Sequence, residues 1–210
     1  MTDRFPHLVE VARRIVRRTL QHPPTLGAGR LVCVDGPAGS GKTTLASELR
    51  RGFRDALREA GASADPARVR LVHMDNVYAG WTGLQAGMRT VADDVIAPLA
   101  RGEPGRYRRF DWHAMAFAEE RVVEPCDVLV VEGVGAGGFA RDGYAASVTC
   151  LIWVDTPPVV RLARGLARDG EQMREHWLAF SAEEDAMFAR ERIRDRAHVV
   201  VDGRTGTVSA

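Results

Sequence analysis

The sequence predicts an α/β fold: a five-stranded parallel sheet flanked by helices, with a small lid and a hairpin. Three observations predict it. The stretch Gly36-Pro37-Ala38-Gly39-Ser40-Gly41-Lys42-Thr43 follows the apolar run Leu31-Val32-Cys33-Val34. It opens the helical pattern Leu45, Leu49, Phe53, Leu57, so that a strand, a glycine-rich loop and a helix come in direct succession. Four further strand-like runs come later in the chain, separated by helical segments, and such alternation builds a parallel sheet with helices on its faces.

Length and composition narrow the class. The 210 residues suit one domain, 1–210, with an N-terminal helix and linker over 1–29 and a core over 30–203. With 29 basic and 28 acidic groups the net charge is +1, which leaves no footprint for nucleic-acid or membrane binding. The start, Met1 to Pro6, lacks an apolar signal-peptide core. The apolar stretch Tyr144 to Val154 is broken by Ser147 and Thr149 and is too short to span a bilayer. Cys33, Cys126 and Cys150 fall in or beside apolar runs without metal-ligand spacing and read as reduced core thiols. A cytoplasmic, soluble chain is expected.

Phe5, Leu8, Val9, Ala12, Ile15, Val16 and Leu20 recur at helical spacing and predict an amphipathic helix over 4–20, stopped by Pro23-Pro24. Its Arg13, Arg14, Arg17 and Arg18 read as a solvated face rather than a site for an acidic partner. In the loop that follows the first strand, glycines at 36, 39 and 41 let the backbone turn back and aim its N–H groups at one point, where the helix dipole adds positive potential. This is the P-loop, or Walker A, pattern. Gly36, Ala38, Gly39, Ser40, Gly41, Lys42, Thr43 and Thr44 are the expected nucleotide-binding residues. Lys42 reaches the β- and γ-phosphates, and the Thr43 hydroxyl takes a place on Mg²⁺. The chain is therefore expected to bind a nucleoside triphosphate.

The helix after the loop runs from Lys42 to Ala60 and ends at Gly61. A second strand over 68–74 ends in Asp75-Asn76-Val77-Tyr78. Ligands gather beyond the carboxyl ends of parallel strands, so Asp75 shares a rim with Lys42. There it can take a proton from an acceptor hydroxyl or hold a metal-bound water; the bland alternative is a cap for the next turn. Gly80 to Leu84 reads as a loop with Trp81 exposed, and Thr90 to Leu99 as a helix cut short by Pro98. Arg106 to His113, with Arg121-Val122-Val123 downstream, predicts a small hairpin apart from the main sheet. Its aromatics beside Asp, Arg and His suit a pocket for a flat, hydroxylated ligand, and equally suit ordinary hairpin packing.

Asp127 to Val131 is a continuous apolar strand that ends in Glu132-Gly133. A carboxylate at so buried a tip needs a partner, and Mg²⁺ held through water supplies one. Gly133, Gly135, Gly137 and Gly138 read as a mobile loop. Val148 to Val154 is the fourth strand, and Asp155-Thr156-Pro157-Pro158 starts a helix carrying Arg161, Arg164 and Arg168. Arg164 and Arg168 share a face, so this helix reads as a lid able to close over phosphates, with a solvated face as the alternative. A helix over 172–192 turns Trp177, Phe180, Met187 and Phe188 inward, and His198 to Gly203 is the fifth strand. The six histidines never fall at ligand spacing, so no histidine-bound metal is expected.

In this order the P-loop at 36–43, the acidic tip Met74 to Tyr78, the Tyr107–His113 segment, Val131-Glu132-Gly133 and the Arg161 to Asp169 helix resemble the P-loop small-molecule kinases of the uridine kinase and phosphoribulokinase group. The resemblance covers most of 30–203. It implies the P-loop NTPase fold and transfer of the γ-phosphoryl group of ATP, with Mg²⁺, to a hydroxyl of a small nucleoside-like acceptor, uridine- or cytidine-like. By position it implies Asp75 as general base, Thr43 and Glu132 serving Mg²⁺, and Lys42, Arg164 and Arg168 as catalytic cations on the phosphates. Asp75, Tyr78, Tyr107, Asp111 and His113 would contact the acceptor. The chain departs from the uridine kinases in its Asp-Asn-Val-Tyr tip, its Phe110-Asp111-Trp112-His113 segment and its extra first helix. Alternatives are a kinase for a pantothenate- or sugar-like alcohol, and a nucleotide-binding ATPase or switch. The only partner implied is the small-molecule acceptor; a homo-oligomer stays open.

Overall fold

The computed structural model describes residues 6–61, 68–139 and 147–208. Residues 4 and 5 of the expected first helix and 144–146 of the apolar stretch lie outside the described residues. Helix α1 (Pro6–Gln21) buries Leu8, Val11, Ala12, Ile15 and Val16 along one stripe and leaves its arginines outward. The chain then enters strand β1 (Arg30–Asp35), turns through the P-loop, and forms α2 (Lys42–Glu59). Gly61, at φ +79°, follows the C-terminal end of α2, as expected. At Gly52 the two helices cross closely: a Cβ there would meet Val16 Cγ2 at 3.1 Å.

Strand β2 (Val69–His73) leads through a short turn to a helix that runs from 84 to 100. It is α-helical as α3 (Leu84–Thr90), π-helical over Val91–Ile96, and α-helical again as α4 (Ala97–Ala100). The helix expected over Thr90–Leu99 therefore begins earlier, at Leu84, and ends within a residue of the expected place, at Ala100, with Pro98 inside its last turn. Proline cannot donate to the carbonyl four residues back and its ring crowds that oxygen. The wider π turn just before Pro98 changes the bonding register there.

The hairpin of β3 (Gly105–Asp111) and β4 (Ala116–Val123) is antiparallel and separate from the main sheet, as the alternation predicts. Gly105 lies directly on the helix, where a Cβ would come within 2.7 Å of Val95 Cα. Then come β5 (Val128–Glu132), β6 (Cys150–Asp155), α5 (Pro158–Asp169), α6 (Arg174–Glu191) and β7 (Val199–Asp202). The sheet order is β2-β5-β1-β6-β7, parallel throughout.

Alternation along the strands splits the core into two layers. Val32, Val34, Val128, Val130, Ile152 and Val154 pack with Leu45, Leu49 and Phe53 of α2 and the buried stripe of α1. Leu31, Cys33, Leu129, Val131, Leu151 and Trp153 face the 84–100 helix and Phe180 and Met187 of α6. Both faces are covered, which is why these strands read as unbroken apolar runs. Fully burying one such side chain contributes about 1.5–3 kcal/mol. The register sets Val34 beside Glu132 and Glu132 beside His73, so the carboxyl ends of β1, β5 and β2 share one rim. Among the described residues, no helix is long and apolar enough to cross a membrane.

Candidate active site

The site grows out of the P-loop's backbone. Gly36 has φ +142°, and a Cβ on it would lie 2.3 Å from the Val154 carbonyl oxygen. Gly39, at φ +77°, sits as tightly against the Arg161 carbonyl, 2.6 Å from a built Cβ. Only glycine fits either place. Gly41 is the N-cap of α2 and supplies no side chain, so the first N–H groups of the helix stay open to an anion. The buried Ser40 hydroxyl has no protein partner. Lys42, 7% exposed, lies across the loop and donates from Nζ to the Pro37 carbonyl at 2.9 Å.

Behind the loop stands Glu132, buried at the tip of β5. Its carboxylate accepts from Thr43 Oγ1 at 3.2 and 3.3 Å and meets His73 Nδ1 at 2.5 Å. The hydrogen bond to Glu132 raises the His73 pKa above its ordinary value. Sequence reading passed over His73. Its signal is strand alternation: it lies two residues beyond Leu71 on β2, on the face that looks toward α2. Asp75 follows in the turn Met74–Asn76, with its carboxyl open to the cleft yet walled in by protein. Those low-dielectric walls, then the charge of Glu132, raise its pKa; Lys42 and Arg168 pull it partly back.

The glycine loop after β5 is held rather than free, contrary to expectation. Asp35, fully buried, accepts from Gly36 N at 2.6 Å and Gly135 N at 3.0 Å through Oδ1, and from Gly137 N at 2.6 Å through Oδ2. Burial lifts its pKa to about 6, against the opposing pull of those N–H groups. One carboxylate thus ties the P-loop to the loop over 133–138. A second clamp acts from the far side. Glu184 of α6 accepts from Ala38 N at 2.8 Å and from Arg161 Nη1 at 2.7 Å, with both side chains buried. Arg161 also donates to the carbonyls of Thr156 and Ala38. Asp35 and Glu184 were missed because each acts on backbone donors brought to it by the fold.

Arg164 and Arg168 both face the cavity. Arg164 donates to the carbonyls of Gly39, Ser40 and Gly203 at 3.2–3.4 Å, at the edge of the P-loop. Arg168 pairs with Asp169 at 2.7 and 3.0 Å and lies over the Trp177 ring. The cavity has a volume of about 400 Å³. Its polar wall carries Lys42, Thr43, Asp75, Glu132, Arg164 and Arg168, and its apolar wall includes Leu8, Val154 and Val201.

Four of the expected acceptor contacts are not brought to this cavity. Tyr78 is buried in the core, its hydroxyl donating to the Val134 carbonyl at 2.5 Å and its ring against Phe180. Its place five residues past His73 turns it under the rim instead of into the cleft. Tyr107 is buried on the inner side of the hairpin. Asp111 caps the hairpin turn, accepting from His113 N at 3.0 Å and Ala114 N at 3.1 Å and pairing with Arg109. His113 is exposed on that turn. Trp81, expected at an exposed position, is half-buried among other rings.

Comparisons agree with this architecture. The AAA domain family matches residues 32–189. Among curated proteins, no sequence match is found. A protein from Bacillus stearothermophilus described as a possible uridine kinase superposes with a TM-score of 0.59 at 22% identity, over 92% of this chain and 99% of that one. A candidate fructose transport system kinase from Silicibacter sp. TM1040 gives 0.52 at 21%, over 94% and 95%. The D-glycerate 3-kinase of Cryptococcus neoformans gives 0.50 at 13%, over 94% of each. At these identities the likeness is one of fold. On the match over 32–189 the chain belongs to the AAA domain family, and it carries the fold of the P-loop small-molecule kinases.

Proposed function

We propose that the chain is an ATP-dependent phosphotransferase that moves the γ-phosphoryl group to a hydroxyl of a small acceptor. One observation carries the reading: Lys42, the Thr43–Glu132 pair, Asp75, Arg164 and Arg168 all line one cavity. In this reading the P-loop N–H groups and Lys42 hold the β- and γ-phosphates, and Arg164 and Arg168 neutralise the charge spread over the transferring group. Asp75 accepts the proton of the acceptor hydroxyl. Burial in the walls of the cleft raises its pKa above the ordinary carboxylate value, which strengthens it as a base.

The donor set fits Mg²⁺. Thr43 Oγ1 and the buried Glu132 carboxylate are hard oxygen ligands within hydrogen-bond reach of one another, and the buried charge suits a cation beside it. The ion, when bound, supplies Lewis-acid charge neutralisation at the phosphates. Thr43 and Glu132 are the residues that would hold it.

A uridine- or cytidine-like acceptor is the class favoured by the sequence resemblance and consistent with the first of the similar structures. The displacement of Tyr107, Asp111 and His113 from the cavity favours weighing a sugar- or pantothenate-like alcohol beside it. A switch protein is less well supported, because the segment after β5 is tied down by Asp35 rather than free to reorder. The test is ADP release from Mg·ATP across nucleosides and small polyols, in the parent and in Asp75→Asn. The variant should lose acceptor-dependent turnover by about 10²–10⁴-fold while still binding Mg·ATP. Equal acceptor-dependent rates would remove Asp75 from the mechanism, and a parent unresponsive to every acceptor would overturn the kinase reading.

A further inference from the structure

Beside the cavity, which Trp177 and Phe180 also line, lies a cluster of rings drawn from three separate elements. Trp81 stands in the turn Gly80–Thr82. Its ring stacks on His176 of α6, with centroids 5.5 Å apart and planes 16° from parallel. It meets three more rings at an angle: Trp112 of the hairpin turn at 5.5 Å, Trp177 at 6.2 Å and Phe180 at 5.9 Å.

Two of those neighbours each hold a group assigned to the chemistry. The Trp112 indole N–H donates to the Asp75 backbone carbonyl at 2.9 Å, which fixes the turn that presents the Asp75 carboxyl. The Trp177 indole N–H donates to Asp169 Oδ2 at 3.0 Å, and Asp169 in turn grips Arg168. The guanidinium carbon of Arg168 lies 5.6 Å from the centre of the Trp177 ring. Helix α5 rests flat on the same ring: at Gly165 a Cβ would come within 2.5 Å of it. A continuous path of contacts therefore runs from Arg168 through Trp177, Trp81 and Trp112 to Asp75.

We propose that Trp81 is a positioning residue that couples the lid arginines to the general base. The proposal rests on the kinase reading for the roles of Arg168 and Asp75. Packed rings have discrete arrangements rather than a continuum. When α5 settles over a nucleotide, Trp177 moves with Arg168, and the Trp81 ring passes that shift to Trp112 and so to the Asp75 turn. The base is then placed only when the phosphates are gripped, which keeps an ungripped nucleotide from meeting a fully aligned base.

The experiment has two arms. In the first, kcat, acceptor KM and Mg·ATP affinity are measured with uridine, and with D-glycerate where uridine gives no turnover. Trp81→Ala should lower kcat by about tenfold or more, because small misplacement of a catalytic group is costly, with Mg·ATP affinity within a few-fold of the parent. Trp81→Phe keeps a ring in place and should recover most of the rate. Trp112→Phe and Arg168→Lys should be non-additive in kcat by about threefold or more in the parent, and additive once Trp81→Ala is present. A purely structural Trp81 would not move that coupling.

The second arm needs no acceptor. Hydrogen exchange at the hairpin turn over 110–115 should slow when a non-hydrolysable ATP analogue with Mg²⁺ is added to the parent, and should not respond in Trp81→Ala. If Trp81→Ala does not fold, the parent cycle and Trp81→Phe decide the matter. Additive effects of Trp112→Phe and Arg168→Lys in the parent, or no nucleotide-dependent protection of the hairpin turn, would overturn the proposal. Protection without acceptor-dependent ADP release would support the coupling and count against the kinase reading, so the two failures are distinguishable.

Discussion

Replacing Arg161 by Met tests how the P-loop is held from below. In the parent, Glu184 is 0% exposed and its carboxylate has two partners, Arg161 Nη1 at 2.7 Å and Ala38 N at 2.8 Å. Removing the guanidinium leaves a fully buried carboxylate facing one backbone N–H. Breaking such a pair from one side costs about 3–5 kcal/mol. For a chain of this size that lowers Tm by about 6–20 °C. Removing both charges, as Arg161→Met with Glu184→Leu, replaces the stranded carboxylate by an unpaired Ala38 N–H, at about 1–3 kcal/mol, beside the bonds to the Thr156 and Ala38 carbonyls that the single variant already loses. The double variant should thus be more stable than the single one. Burial already raises the Glu184 pKa, and loss of Arg161 raises it further. The folded single variant then binds a proton more readily than its unfolded chain, so its deficit should narrow as pH falls. Urea unfolding followed at several pH values measures all three quantities. A deficit under about 1 kcal/mol for Arg161→Met, or a double variant less stable than the single, would refute the reasoning.

Asp35 gives a pH dependence of the same origin, a carboxyl whose pKa burial raises. Its folded pKa of about 6 lies above the ordinary 3.8, so the folded state holds the proton more tightly and this group's contribution to stability is lost as pH rises through 6. Measured by denaturation, the stability gap between the parent and Asp35→Asn should shrink by up to about 3 kcal/mol between pH ~4 and ~7; a gap that widens would reverse the assignment. Arg164 and Arg168 give the last test. Arg164→Ala, which loses contacts to the P-loop edge, and Arg168→Ala should each lower kcat more than Mg·ATP affinity, and the double variant should fall short of the product of the two. Full activity in the double variant would make them a solvated face.

What the sequence made legible was local or periodic. The P-loop is a contiguous pattern whose glycines each answer a backbone demand, and the core strands announce themselves because both faces of the sheet are covered. The hairpin followed from alternation, and the Lys42–Thr43–Glu132–Asp75 rim followed from where parallel strands end. What stayed hidden depends on residues far apart in sequence. Asp35 looks like the last residue of a strand until residues 135 and 137 arrive beside it, and Glu184 is one acid among several on α6 until the fold sets it under Ala38. The hairpin misled because Asp and His beside aromatics fit a ligand pocket and a capped turn equally well. Tyr78 misled because a residue near the Asp75 turn still answers to core packing first. Pro98 shows the converse: a strong local breaker was accommodated by a π turn ahead of it.

The meeting of Leu8 and Gly206 has a thermodynamic consequence. Both line the cavity, and Gly206 lies so close to α1 that a Cβ on it would reach Leu8 N at 3.0 Å. The first helix and the segment after the last strand are thus part of the container. A molecule bound there favours states in which both are docked, and by linkage it holds them in place with a strength set by its own saturation, about 2.7 kcal/mol at a hundredfold excess over Kd. Undocking of α1 would appear first as weakened ligand affinity rather than as loss of fold. Protease susceptibility of this helix would then report occupancy of a cavity whose chemistry lies elsewhere in the chain.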